Sequence, residues 1–168
     1  MRGDNPRISV TPATPGDIPA ILDLIRKLAE YERLSHQVVA TEDLLHEHLF
    51  GPRPAADALI GQLDSRTVGF ALFYQTFSTF LARPGIWLED LFVLSESRGA
   101  GVGSALLRQV AAIAIARNCG RLEWSVLDWN EPALGFYRKL GAVPMNDWTI
   151  QRVTSDALNK LAGRTMSC

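Results

Sequence analysis

The strongest constraint in this sequence is a strand, a glycine-rich turn and a long helix that follow one another directly. Residues 88–93 have strand character, and residues 103–117 carry apolar side chains at helical spacing. Glycine has no Cβ to keep an anion from the backbone, and the first turn of a helix offers unpaired N–H groups and a positive dipole end. This order predicts an anion-binding turn for a phosphate group, to which an arginine adds a charge-assisted contact. The turn comprises Arg98, Gly99, Ala100, Gly101, Val102, Gly103 and Ser104.

Two other glycine motifs do not fit this turn. The dinucleotide fingerprint requires a glycine where Ser104 stands, and a P-loop requires a lysine directly after its last glycine. Glycine-rich turns also form for packing reasons, so a purely structural turn remains an alternative at this stage.

The hydrophobic pattern predicts a mixed α/β fold. Helices come first and again late in the chain with several strands between them, which favours a mostly antiparallel sheet flanked by helices. At 168 residues the chain suits a single domain, and we expect it to span residues 1–168. We expect helices from Thr14, from Thr41 to Gly51, and over 103–117, 132–140 and 156–162. We expect strands over 7–11, 58–63, 67–76, 86–94, 121–127 and 148–153.

Charge and composition argue against several function classes. The formal net charge is -1 and no dense Lys/Arg run is present, so nucleic acid is not an expected partner. Neither a signal-peptide pattern nor a membrane-length apolar run is found, so we expect no membrane partner and a cytoplasmic location. Cys119 and Cys168 lack the spacing of a disulfide framework or zinc site. His36, His46 and His48 form no convincing ligand set, and we expect no metal.

Arg98, Gly101 and Gly103 meet the R/Q-x-x-G-x-G/A signature, through which the sequence resembles the GNAT acetyltransferases. The likeness extends over nearly the whole chain and points to the diamine (spermidine/spermine) acetyltransferases. Residues 126–130, Val-Leu-Asp-Trp-Asn, resemble most closely the thialysine-acetylating branch. The segments that carry the likeness are residues 7–13, 28–32, 67–76, 88–90, 129–132 and 136–137.

The resemblance implies a GNAT fold and direct transfer of an acetyl group from acetyl-CoA to a primary amine in a ternary complex. It implies that Glu89 contacts the amine and relays its proton through water, and that Tyr137 protonates the departing sulfur. The alternative for Tyr137 is a packing role beside Phe136. Relatives are dimers, so a homodimer is expected by analogy.

The resemblance also implies which residues border the cofactor. Besides the glycine turn, these are Leu91, Phe92, Val93, Asn130, Pro132 and Ala133. From the sequence alone, the alternative is that Leu91 and Val93 belong to the hydrophobic core and that Asn130 caps a helix.

The amine site is expected to combine carboxylates and aromatic rings, because both attract cations. In a regular strand Asp90 points away from Glu89, whereas a bulge brings both acids to one cleft. Departures at residues 34–36 and 77–80 remove two acidic positions of the polyamine-preferring relatives, which favours a lysine-like amine over spermine. A peptide-lysine acetyltransferase and a non-catalytic acyl-CoA sensor are the alternative functions. The candidate amine-site residues are Tyr31, Glu32, Glu89, Asp90, Glu123, Trp124 and Ser125.

Overall fold

The computed structural model describes residues 7–164, which form two compact units that divide between Ser125 and Val126. Cys168 therefore lies outside the described residues. No helix among the described residues is long and apolar enough to cross a membrane. The elements of the first unit are β1 (Ile8–Pro12), α1 (Ile18–Tyr31), α2 (Glu42–Phe50), β2 (Asp57–Leu63), β3 (Arg66–Ser78), β4 (Arg83–Val93), α3 (Val102–Ala116) and β5 (Leu122–Trp124). Those of the second unit are α4 (Glu131–Lys139) and α5 (Ser155–Leu161).

The first unit contains a five-stranded sheet in the order β1-β2-β3-β4-β5. The first four strands form an antiparallel meander, and β5 joins β4 in parallel after the crossover through α3. The predicted mixed, mostly antiparallel α/β fold is confirmed.

The helix predicted from Thr14 begins as a 3₁₀ turn over Pro15–Asp17, and α1 follows it from Ile18. Thr14 and Asp17 form a capping box, in which the Thr14 backbone N–H donates to the Asp17 carboxylate at 2.8 Å. One face of α1 is buried at Ile18, Ile21 and Leu22, among others. The capping box and the buried stripe together account for the helix, because local hydrogen bonds start it and apolar burial holds it on the sheet.

The sheet carries a helix on each face. A Cβ on Gly61 would lie 3.0 Å from the Leu106 side chain, so α3 packs closely on that face. Phe70 pairs with Ile60, the residue before Gly61, and with Phe92 on β4. Side chains alternate along a strand, so Phe70 and Phe92 face the other side of the sheet. Helix α1 contacts β3 and β4 on that side. The ring of Tyr31, the last residue of α1, and the ring of Phe92 both lie against the guanidinium of Arg98.

Two predicted strands need correction. The strand expected over 121–127 is reduced to Leu122–Trp124, and the strand expected over 148–153 does not form in the described chain. A strand is stable only when a neighbour satisfies its backbone groups, and no strand of the described residues pairs with residues 148–153. Their apolar side chains are accordingly exposed, with Trp148 at 74% and Ile150 at 64%.

The close contact between β3 and β4 gives a stability prediction. A Cβ on Gly69 would lie 2.6 Å from the carbonyl oxygen of Phe92, a backbone atom that cannot rotate away. We expect Gly69→Ala to lower the free energy of unfolding by about 1–3 kcal/mol in urea denaturation. Gly135→Ala, at an open position of α4, is the control and should gain ~0.5–1 kcal/mol as a helix substitution. An unchanged midpoint for Gly69→Ala would contradict the tight strand contact.

Candidate active site

The glycine turn has the geometry that an anion site needs. Gly99 and Gly101 have φ of 83° and 99°, in the left-handed region that favours glycine. Gly101 is the N-cap of α3, and no side chain caps this helix end. The N–H groups of Val102, Gly103 and Ser104 in the first helical turn therefore have no partner within the helix. Nothing lies within 4 Å of a Cβ built on Gly99, so the approach to the backbone is open.

Arg98 is held in place by three groups of the first unit. Its Nε–H donates to the backbone carbonyl of Val93 at 3.1 Å. Its guanidinium carbon lies 4.4 Å from the ring centre of Tyr31 and 5.7 Å from that of Phe92. Sequence reasoning assigned Tyr31 to the amine, whereas its ring lies against the arginine of the glycine turn.

The edge of β4 that faces β5 is open along its second half. The two strands are paired only at Ile86, Trp87 and Leu88, after which the β5 ladder stops. No strand of the described sheet pairs with this edge beyond Leu88. The Val93 carbonyl accepts from Arg98, and residues 89–92 offer backbone groups of the kind to which an extended chain binds as an added strand. Leu91 and Val93 are half-buried, and Phe92 belongs to the core at 5% exposure.

A β-bulge in β4 reorients its acidic residues. Phe73 is opposite Leu88 and Leu72 is opposite Asp90, so Glu89 is an extra residue without a partner on β3. An extra residue breaks the alternation of side chains. Both acids therefore point to the face that carries α1, so the bulged alternative is the one that the structure adopts.

Hydrogen bonding and electrostatics agree with this arrangement. The indole N–H of Trp87 donates to the Glu89 carboxylate at 3.0 Å. Burial, with added repulsion from Glu89 and then Glu32, raises the pKa of Asp90 from 3.8 to about 7. Burial also raises the pKa of Glu32, at the end of α1. Three carboxyl groups thus lie together, and the middle one is substantially protonated at neutral pH.

Two aromatic residues of this site were missed by sequence reasoning. Trp87 binds Glu89 directly, and Tyr74 is opposite Trp87 on β3. Burial and the nearby Glu89 carboxylate raise the pKa of the Tyr74 phenol. The period of two along β4 places Trp87 on the same side as Glu89, and this signal was available in the sequence. The pairing of Trp87 with Tyr74 could not be predicted from the sequence, because it depends on the register between β3 and β4.

The remaining candidates in the first unit are less suited to the amine. The Glu123 carboxylate forms a 2.6 Å ion pair with Arg121, the residue just before β5, which offsets its charge. Trp124 is half-buried, and Ser125 is exposed just after β5.

The second unit carries the other predicted residues. Asn130 is buried at 8% exposure, and its side-chain oxygen accepts from the Ala133 N–H at 3.3 Å, so it caps α4. Pro132 lies in the first turn of that helix. Tyr137 is half-buried on α4, with its ring centre 5.2 Å from that of Phe136 in a tilted arrangement.

Comparison with known proteins identifies the family. The model of the Acetyltransferase (GNAT) family matches residues 19–142. The chain belongs to the GNAT acetyltransferases. It is 38% identical over 168 residues to the thialysine N-epsilon-acetyltransferase of Bos taurus, covering 94% of this chain and 98% of that protein. It is 32% identical to the L-ornithine N5-acetyltransferase of Arabidopsis thaliana, with 89% and 85% covered.

The fold is likewise that of a GNAT protein. A solved integron cassette protein from the mobile metagenome of V. cholerae is similar with a TM-score of 0.77 and 26% identity, covering 92% of this chain and 97% of that one. The predicted family, fold and enzyme class, an acetyl-CoA-dependent N-acetyltransferase of amines, are confirmed. The uncapped turn with its open approach fits the diphosphate of acetyl-CoA, the co-substrate of GNAT acetyltransferases.

Within residues 7–164, no group of three or more His, Cys, Asp and Glu side chains is arranged to hold a metal ion. The expectation that this GNAT protein needs no metal remains a prediction.

The raised pKa of Asp90 predicts how stability depends on pH. Between about pH 4 and 7 the folded state binds a proton at this site that the unfolded state has released, so stability falls as pH rises through this window and is lowest above it. A shift of about three pKa units corresponds to at most ~4 kcal/mol. We expect Asp90→Asn to raise the melting temperature at pH 8 and to flatten its fall between pH 4 and 7.

Thermal melts of the wild type and Asp90→Asn across pH 4–8 measure this effect. Asp128→Asn, at an exposed position of the second unit, is the matched control. A parallel pH dependence of wild type and Asp90→Asn would mean that Asp90 is not the buried titrating group.

Proposed function

We propose that this enzyme acetylates the terminal primary amine of a short, lysine-like substrate such as thialysine or an ornithine-like diamine. The observation that carries the proposal is the cluster of Glu32, Glu89 and Asp90 beside the open half of β4. Carboxylates attract an ammonium group, and the free strand edge is suited to the acetyl donor. Relatives named for thialysine and L-ornithine acetylation support the same class of amine.

The chemistry requires a neutral amine. An alkyl amine has a pKa near ~10.4, so its proton must leave before nitrogen attacks the thioester carbon. Glu89 receives this proton through water in the proposed mechanism, and its hydrogen bond from Trp87 fixes the carboxylate. The C–N bond forms, the C–S bond breaks, and Tyr137 donates its phenolic proton to the departing thiolate of coenzyme A.

The charge of the acidic cluster favours a short amine over a long polyamine. With Asp90 substantially protonated near neutral pH, the three carboxyl groups carry fewer than three negative charges. One or two ammonium groups match this charge better than the four of spermine. The segments that lack acids support the same preference, since residues 34–36 are Leu-Ser-His and Phe77 and Phe80 are exposed.

The cofactor contacts follow from the family's pattern in this proposal. The amides and arginine of the 98–104 turn bind the diphosphate, and the backbone of Leu91 to Val93 binds the pantetheine arm. Asn130, Pro132 and Ala133, at the start of α4, border the cofactor. Among the residues that the sequence predicts for the amine site, Trp124 and Ser125 stay candidates. The ion pair of Glu123 counts against its part, and the contact of the Tyr31 ring with Arg98 counts against that of Tyr31.

We further propose a single GNAT domain over residues 1–168 that acts as a homodimer in the cytoplasm. The family match spans the boundary between the two units, which supports one domain. Large apolar side chains are exposed between residues 143 and 161, and exposed apolar surface of this kind is typical of a protein interface. These residues are Val143, Met145, Trp148, Ile150, Val153, Leu158 and Leu161.

A panel of amines tests the substrate proposal. Acetyl-CoA consumption is measured with thialysine, ornithine, putrescine, spermidine, spermine and a lysine-containing peptide. We expect the highest kcat/KM with thialysine or ornithine, and at least a tenfold lower value with spermine, which is a difference of roughly 1.4 kcal/mol in transition-state binding. A preference for the peptide would favour a protein acetyltransferase, and CoA binding without turnover of any amine would favour a sensor.

Variants test the catalytic assignments. We expect Tyr137→Phe to lower kcat about 10²-fold and Glu89→Gln to lower it by a similar factor, as for loss of general acid or base catalysis. Glu47→Gln, at an exposed position of α2, is the matched control with unchanged kcat. Unchanged turnover of every amine by Tyr137→Phe would rule out its role as the acid.

A further inference from the structure

The end of α1 contacts the glycine turn as well as the acidic cluster. Tyr31 and Glu32 are adjacent, yet the Tyr31 ring lies against the Arg98 guanidinium while the Glu32 charge acts on Asp90. We propose that Tyr31 is a positioning residue for the acetyl donor: its ring holds Arg98 in place for the diphosphate of acetyl-CoA. This inference rests on the proposed binding of the diphosphate at this turn, and it assigns Tyr31 to the donor instead of the amine.

The contacts of Arg98 explain why such support is useful. Arg98 is exposed, and a free arginine side chain samples many rotamers, so ordering it on binding costs affinity. The Val93 carbonyl takes the Nε–H, and the ring faces of Tyr31 and Phe92 lie on the guanidinium. Arginine has five N–H donors, so four remain on the two terminal nitrogens. The donor-binding form of the side chain is therefore organised before acetyl-CoA arrives.

The same geometry argues against Tyr31 as a contact for the amine. A ring attracts a cation over its face, and at 4.4 Å this face already carries a guanidinium. A substrate ammonium in the same place would be repelled by Arg98. The amine is instead drawn to Glu32 and its neighbours on β4, so the last residue of α1 and the residue that follows it serve the two substrates separately.

The affinity of Tyr31 variants for CoA tests the proposal. Tyr31→Leu removes the ring, and Tyr31→Phe retains it and is the matched control. We expect Tyr31→Leu to weaken CoA binding about three- to tenfold by calorimetry, as expected for loss of a partly exposed cation–π contact. Tyr31→Phe should bind CoA as the wild type does. If Tyr31→Leu does not fold, Tyr31→Met supplies similar volume without a ring.

A donor that lacks the diphosphate separates this role from general damage. With acetylpantetheine as donor, we expect Tyr31→Leu to leave kcat/KM within about twofold of the wild type, because Arg98 then has no diphosphate to contact. With acetyl-CoA, the loss should appear in the KM of the donor and not in the KM of the amine. Equal losses with both donors, or a rise only in the amine KM, would overturn the proposal.

A double-mutant cycle isolates the contact with Arg98. In an Arg98→Ala background, Tyr31→Leu should weaken CoA binding no further, because the partner through which it acts is gone. Additive losses would overturn the proposal. CoA affinity is measured without any amine, so this result does not depend on which amine is acetylated. If Tyr31→Leu and Arg98→Ala are non-additive but the enzyme acetylates none of the proposed amines, the proposed function is wrong and the role of Tyr31 stands.

Discussion

The arrangement of the site depends on how β4 departs from regular pairing. One extra residue, Glu89, interrupts its ladder with β3, and the ladder with β5 ends at Leu88. The first departure turns two consecutive acids to one face, and the second frees a strand edge at the same place. A regular, fully paired strand would have separated the acids and covered the edge, so this irregularity brings a cation-attracting cluster beside a free backbone edge.

Charge is distributed along the first unit in a way that suits two unlike substrates. The turn before α3 presents uncapped N–H groups and Arg98 toward an anion, whereas Glu32 and its two neighbours on β4 attract a cation. Partial burial of Asp90 limits the negative charge of that cluster, because it is costly to ionise a third carboxyl group close to two others where access to water is reduced. The raised pKa of Asp90 is thus a physical consequence of its surroundings.

Aromatic side chains hold the charged groups of both regions. Trp87 donates its indole N–H to Glu89, and Tyr31 and Phe92 lie against Arg98. Long charged side chains have many rotamers, and such contacts reduce the freedom that each would lose when a substrate binds. The orientation of these groups is therefore supplied by neighbours that carry no charge themselves.

The sequence by itself determined the elements whose signals are local. The capping box at Thr14, the helical stripe of α1 and the glycine turn at Gly99 and Gly101 appear in the structure where they were predicted, because short-range hydrogen bonds and backbone freedom set them. Only the tertiary structure decided features that depend on a distant neighbour. The bulge at Glu89 exists because of the register with β3, and residues 148–153 form no strand because no neighbouring strand pairs with them. The partner of Tyr31, 67 positions later in the chain at Arg98, was likewise beyond local reasoning, since packing and not spacing brings the two together.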